Sequence, residues 1–144
     1  DRHTVTALEY LSLAHFVQRQ HADSVRATLK VLHLNPEEPA GWFNLAYILE
    51  NGAVWALQRK EARTLKEVQL AVSDISLAAT IFKAINNILN TQTETGRTDK
   101  SKVVAHLKYC EVTHSIALCT SVNSYMCMTG RFISSCSKTF GTRN

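Results

Sequence analysis

Histidine and cysteine are the residues of this chain most able to do chemistry, with six and four copies among 144 residues. Cys110 and His114 stand four residues apart, which on a helix would bring a thiol beside an imidazole and lower the pKa of the thiol. A nucleophilic pair also needs a third group that orients the base, and the sequence shows none for this pair. We therefore expect no catalytic residues and no enzymatic activity.

The spacing of the same residue types argues against a metal site. The four cysteines follow one another at intervals of nine, eight and nine residues, which gives no C-x-x-C pair and matches no zinc knuckle, ribbon or finger. His106 and His114 are eight residues apart, about two helical turns. A phosphate-cradling loop of the form GxxxxGK[ST] is also missing. Neither a metal nor a cofactor nor a small-molecule substrate is expected.

Basic residues favour a different function, contact with nucleic acid. Sixteen Lys and Arg against twelve Asp and Glu give a net charge of +4. The stretch RKEARTLK places four cations near one face of a predicted helix, where they would make possible phosphate contacts: Arg59, Lys60, Arg63 and Lys66. Glu61 and Glu67 interrupt this face. A basic helical module that contacts RNA directly is therefore the alternative function, and steep salt dependence would be its signature.

Hydrophobic periodicity predicts an all-α fold of about six helices. Asn51-Gly52 is typical of a helix stop and predicts a turn in the middle of the second hairpin. Residues 90–101 contain no large apolar side chain and predict a loop. The helices group into two hairpins followed by two single helices, over about 5–34, about 40–70, 74–90 and 102–118.

The composition changes toward the end of the chain. Residues 112–144 contain no acidic residue, eleven Ser or Thr and three of the four cysteines. We expect a helical array over 1–118 and a weakly ordered Ser/Thr/Cys-rich tail over 119–144. The sequence contains no run of about 18 apolar residues, so no contact with a membrane is predicted. No secretory signal is visible, which favours the cytoplasm, or the nucleus, and reduced thiols.

The stretch HLNPEEPAGWFNLAYIL joins the two hairpins. Asn35-Pro36 must end the helix before it, and Pro39 suits the first turn of the next helix. A shift of the sequence by 34 residues places Ser12 on Ala46 and Leu8 on Trp42. The 34-residue period of helix-turn-helix units, with large and small residues alternating in this way, resembles the tetratricopeptide repeat family.

This resemblance implies a function and a binding surface. Proteins of the family stack helical hairpins into a solenoid and bind other proteins, as a peptide or helix, in a concave groove. The implied function is a non-catalytic interaction scaffold, expected to be the end of a longer array, with RNA reached only through a larger complex. The joint is also similar to those of a long scaffold of this family in cytoplasmic messenger RNA decay, which implies a role there. The positions that carry the groove fall on Glu9, Leu13, Phe16, Phe43, Asn44, Tyr47 and Asn51.

Overall fold

The computed structural model describes residues 2–59, 61–91 and 99–128, the last nine of them as backbone only. Within these ranges the chain is all-helical and has no strand, which confirms the predicted fold class. The helices number five rather than six. They are α1 (Arg2–Val17), α2 (His21–Leu34), α3 (Pro39–Gln58), α4 (Leu65–Thr91) and α5 (Lys100–Met128).

Each helix packs against the next one along the chain, and α5 also contacts α3. The α1–α2 hairpin therefore lies beside the α3–α4 pair through the contact between α2 and α3. At the turn between α1 and α2, Arg19 takes a left-handed backbone conformation with φ of 60°. The amides of Arg19 and Gln20 donate hydrogen bonds of 2.9 Å to the carbonyls of Phe16 and His15, which closes the end of α1.

Three buried hydroxyl groups hold α1 and α2 together. The Oγ atom of Ser12 lies 2.6 Å from Oγ1 of Thr28, and Ser24 Oγ donates a hydrogen bond of 2.9 Å to the carbonyl of Ser12. Thr28 Oγ1 also donates to the carbonyl of Ser24, at 2.9 Å. Small side chains at these positions let the two helices approach closely, and the hydrogen bonds offset the cost of burying their polar groups.

The joint between α2 and α3 has the predicted form. α2 ends at Leu34, before Asn35-Pro36, and Pro39 lies in the first turn of α3. The indole Nε1 of Trp42 donates a hydrogen bond of 2.8 Å back to the carbonyl of Pro36. A Cβ atom added at Gly41 would come 2.9 Å from the Leu32 side chain. Glycine at this position therefore allows α3 to pack closely on α2.

The predicted turn at Asn51-Gly52 is wrong, because α3 continues through it to Gln58. A Cβ atom at Gly52 would lie 3.2 Å from the His21 ring of α2. Gly52 thus makes room for a neighbouring helix instead of ending its own. Glycine within a helix costs about 1 kcal/mol relative to alanine, an amount that burial of the residues on both sides of it can offset.

The predicted division into a hairpin over about 40–70 and a separate helix over 74–90 is also wrong. The chain leaves the helix after Gln58, and α4 then runs unbroken from Leu65 to Thr91. Thr64 and Glu67 form a capping box at its start: Thr64 N donates to Glu67 Oε2 at 2.7 Å, and Glu67 N donates to Thr64 Oγ1 at 3.2 Å. The apolar face of α4 simply continues past Ser73.

The core lies between α3, α4 and α5. Its largest fully buried side chains on α4 are Ile75, Phe82 and Ile85. Val103 and Cys110, seven residues apart on α5, are buried against the same cluster. The buried residues of α4 recur at intervals of three and four, which marks the face that packs against its neighbours α3 and α5.

The last helix extends further than the sequence predicts. α5 continues as helix to Met128, ten residues beyond the predicted end at 118, while residues 92–98 of the predicted loop and 129–144 of the predicted tail lie outside the described residues.

By length and composition α4 is apolar enough to cross a membrane, although no span is predicted from the sequence. The buried residues of α4 belong to the core, and they make up 28% of its most apolar stretch.

Candidate partner-binding groove

A first pocket opens between α1, α2 and α3. Its volume is about 490 Å³. Five of the seven predicted groove residues line it, namely Glu9, Leu13, Phe16, Asn44 and Tyr47. The remaining lining residues are Thr6, Tyr10, Ser12, Thr28, Val31, Gly41 and Ile48. The buried hydroxyl cluster of α1 and α2 therefore forms part of the pocket floor.

A second pocket, of about 430 Å³, opens between α3 and α5. From α3 it is lined by Tyr47 and by another predicted groove residue, Asn51, with Glu50 and Val54. From α5 it is lined by Ala105, His106 and Tyr109, none of which was predicted as a groove residue. Tyr47 borders both pockets, so they lie side by side along α3. We call the two pockets together the groove.

The remaining predicted groove residue, Phe43, lines neither pocket. Its ring stacks on Tyr47 with centroids 6.3 Å apart and meets the edge of Phe82 at 5.5 Å. Phe43 therefore lies next to the groove without lining either pocket, and its role in binding a partner stays a prediction. Phe43 lies one turn before Tyr47 on α3. Its ring packs between Tyr47 and the core residue Phe82, so it supports Tyr47 from the side of the core.

Behind the second pocket lies a polar cluster that the sequence analysis missed. Glu50 is only 5% exposed, and both of its carboxylate oxygens lie about 3 Å from Nδ1 of His106, at 3.0 and 2.9 Å. The thiol of Cys110 donates to Glu50 Oε2 at 3.4 Å. This Glu50–His106–Cys110 cluster joins α3 to α5 across 56 and 60 positions of sequence. The i, i+4 spacing of His106 and Cys110 was its only local signal.

Aromatic rings enclose His106. Its ring stacks on Phe82 at a centroid distance of 5.4 Å, and Tyr47 and Phe43 meet it edge-on at 5.3 and 5.7 Å. Such arrangements are favourable because the positive edge of one ring faces the negative face of another. The cluster therefore fixes the position of α5 against α3, and with it the shape of the second pocket.

The cluster is unsuited to nucleophilic catalysis. Burial, and then the nearby Glu50 carboxylate, raise the pKa of the Cys110 thiol well above its ordinary value. A thiolate is the nucleophilic form, and this environment disfavours it. Cys110 also bonds to Glu50 and not to His114, the partner that the sequence spacing proposed. Among the residues that the structure describes, no three His, Cys, Asp or Glu side chains are arranged to hold a metal ion.

The three predicted phosphate-contact residues that the structure describes, Arg59, Arg63 and Lys66, do not share a helix face. Arg59 lies just beyond the end of α3 and forms an ion pair of 2.6 Å with Glu67, and Arg63 donates to the carbonyl of Leu57. Lys66 lies in the first turn of α4, and Lys60 is outside the described residues. The capping box causes this difference, because starting α4 at Leu65 leaves the preceding cations in a connection.

Glu67 has a second role besides capping. The backbone amide of Thr64, and then the Arg59 guanidinium, lower the pKa of this exposed carboxyl to about 2. Arg59 and the start of α4 are thus tied to the same carboxylate. This use of Arg59 leaves it less available for phosphate.

No family model matches the chain, and no solved structure matches it significantly. A curated protein, "Protein CTR9 homolog" of Arabidopsis thaliana, is 25% identical over 103 residues, which is 72% of this chain. The chain spans about 9% of the length of that protein, which contains tetratricopeptide repeats. The similarity supports the family resemblance in part. The sequence analysis also noted a similarity to a long scaffold of messenger RNA decay, the tetratricopeptide subunit of the superkiller complex. The comparison supports neither that similarity nor a role in messenger RNA decay.

Proposed function

We propose that this chain is a non-catalytic scaffold segment of the tetratricopeptide type, which binds a partner protein by taking an extended or helical peptide into the groove. One observation carries the proposal: Tyr47 borders two adjacent pockets, so a single segment lying across α3 can fill both. The five-helix fold and the similarity to a repeat protein support it.

The chemistry of the groove suits a peptide. Leu13 is 56% exposed, and with Phe16 and Tyr47 it offers apolar and aromatic area for anchoring side chains. Asn44 is exposed, and its side chain forms no hydrogen bond with any residue that the structure describes. Its amide can therefore donate to and accept from the backbone of a bound segment, as grooves that take peptides require.

Affinity purification with the full chain as bait tests this function. Leu13→Ser removes an exposed anchor of the first pocket and Tyr109→Ser one of the second, while Leu77→Ser is the matched control. Leu77 is exposed to a similar extent on α4 and lines neither pocket. Losing an anchor worth about 1 kcal/mol lowers affinity about fivefold.

The expected result is a set of proteins that the wild type and the Leu77→Ser variant retain and both groove variants deplete. Equal recovery by all four baits would exclude the groove as the binding surface. Phe43 and Tyr47 are poor choices for substitution, because both contact the His106 ring and their loss would disturb the core.

A further inference from the structure

The charge of the groove is opposite to that of the chain. The whole chain carries a net charge of +4. The residues that line the two pockets include Glu9 and Glu50 but no lysine or arginine. His106, the remaining ionisable group besides the tyrosines, is already engaged with Glu50. The exposed charge among the lining residues is therefore the Glu9 carboxylate, in a chain whose net charge is positive.

Glu9 is the accessible charge of the groove. Its side chain is exposed at the first pocket, and it forms no ion pair with any residue in the described part of the chain. The positions three and four residues away on α1 are Thr6, Val5, Ser12 and Leu13, so no cation of its own helix neutralises it. The carboxylate of Glu9 is therefore available to a cationic group of a bound partner.

Aromatic rings that line the two pockets add surface that also favours cations. Tyr10 and Phe16 line the first pocket with Glu9, and Tyr109 lines the second with Glu50. The negative face of an aromatic ring attracts an ammonium or guanidinium group. The methylene stem of lysine or arginine can also cover apolar surface while its charged end reaches the carboxylate.

An acidic segment would meet the reverse situation. It would bring its carboxylates toward Glu9 and the buried Glu50, and the pocket linings offer no basic side chain to compensate. Repulsion between like charges across an interface discriminates strongly against such a partner.

We propose that the groove selects a peptide segment in which a lysine or arginine stands beside an apolar anchor, with the basic group at Glu9 and the anchor in the first pocket. This inference rests on the proposed function, since it names the class of segment that the groove takes. It does not depend on the identity of the partner protein.

Selection from a random-peptide library displayed on phage provides the test, with the full chain as target. Peptides are kept when they bind the wild type and lose binding to the Leu13→Ser variant, which restricts the set to ligands of the groove. The expected set is enriched in Lys or Arg next to Leu, Phe, Tyr or Trp. A set that is neutral or acidic overturns the inference but leaves the proposed function intact, and the absence of any such peptide overturns both.

A charge exchange identifies Glu9 as the contact. Glu9→Lys should weaken a selected basic peptide about three- to tenfold, the effect expected for losing an exposed ion pair and gaining a repulsion. Replacing the lysine of the peptide with glutamate should restore its binding to Glu9→Lys. Glu61→Lys makes the same change of net charge in the connection between α3 and α4, outside both pockets, and should leave binding unchanged. Equal effects of the two variants would contradict the proposed contact.

Discussion

Replacing His106 with alanine should destabilise the protein more than any ordinary change on α5. The substitution removes the partner of a buried carboxylate, because Glu50 would keep only the Cys110 thiol as a hydrogen-bond donor. It also removes the ring contacts with Phe82, Tyr47 and Phe43. The losses act where α5 packs against α3, which carries Glu50, Tyr47 and Phe43, and against α4, which carries Phe82.

The size of the effect follows from these contacts. A hydrogen bond to a charged group contributes about 1.5–3 kcal/mol, and favourable ring pairs contribute about 0.5–1.5 kcal/mol each. Leaving the buried Glu50 carboxylate without its His106 partner costs a further desolvation penalty of about 1–3 kcal/mol, and more for a charged group. We expect a loss of about 3–5 kcal/mol from the free energy of unfolding. Glu50→Gln keeps the shape of the side chain and one oxygen acceptor, so it should cost only about 1–2 kcal/mol.

Urea unfolding followed by circular dichroism measures these values, and His114→Ala is the matched control on the same helix. The double variant Glu50→Gln, His106→Ala should be no less stable than His106→Ala alone, because it removes the unpaired charge. If His106→Ala does not fold, Glu50→Gln remains measurable. A cost for His106→Ala equal to that of His114→Ala, or strict additivity in the double variant, would refute the role assigned to the cluster.

Three further outcomes are expected. Thr64→Ala should lower the free energy of unfolding by about 1 kcal/mol because it breaks the capping box with Glu67, whereas Thr64→Ser should be close to neutral in the same urea titration. In a variant that keeps Cys110 as its single cysteine, alkylation at pH 8 should be at least about a hundredfold slower in the folded protein than in urea, because burial raises the pKa of this thiol; equal rates would contradict its burial. Burial, and then Arg19, lower the pKa of His21 in the fold, so the folded state favours the neutral ring. The stability that depends on this ring is present above the unfolded pKa of about 6.5 and is lost as the pH falls below it. The His21→Gln variant should therefore lose less stability than the wild type between pH 7.5 and pH 5, and parallel losses would show that His21 is not the cause.

Features that depend on a few neighbouring residues could be predicted from the sequence. The joint at Pro36 and Pro39 is one example, because proline restricts its own backbone and that of the preceding residue whatever surrounds it. The start of α4 belongs to the same class: the T-x-x-E pattern at Thr64 and Glu67 was present in the sequence and was overlooked. Recognising it would have corrected the helix boundaries and separated the basic residues.

Other local signals were overruled by packing. Gly52 has the residue type of a helix stop, yet it lies within α3. Its lack of a side chain leaves room for the ring of His21. Ser73 precedes the predicted helix 74–90 and has the residue type of a helix N-cap. The apolar face of α4 nevertheless continues past it, from Ala71 to Ile75. A signal worth about 1 kcal/mol loses when the continuous helix buries more apolar area than the broken one.

The groove shows the same division. The repeat pattern alone pointed to Leu13 and Asn44, which do line the first pocket, since a 34-residue period fixes which face of each first helix is shared. Only the tertiary structure decided that α5 forms the other wall, because Glu50 pairs with His106 across 56 positions of sequence. Periodicity describes one helix at a time and carries no information on which distant helix satisfies a buried charge. The second pocket, lined by Tyr109 of α5, lies beside this contact between distant helices.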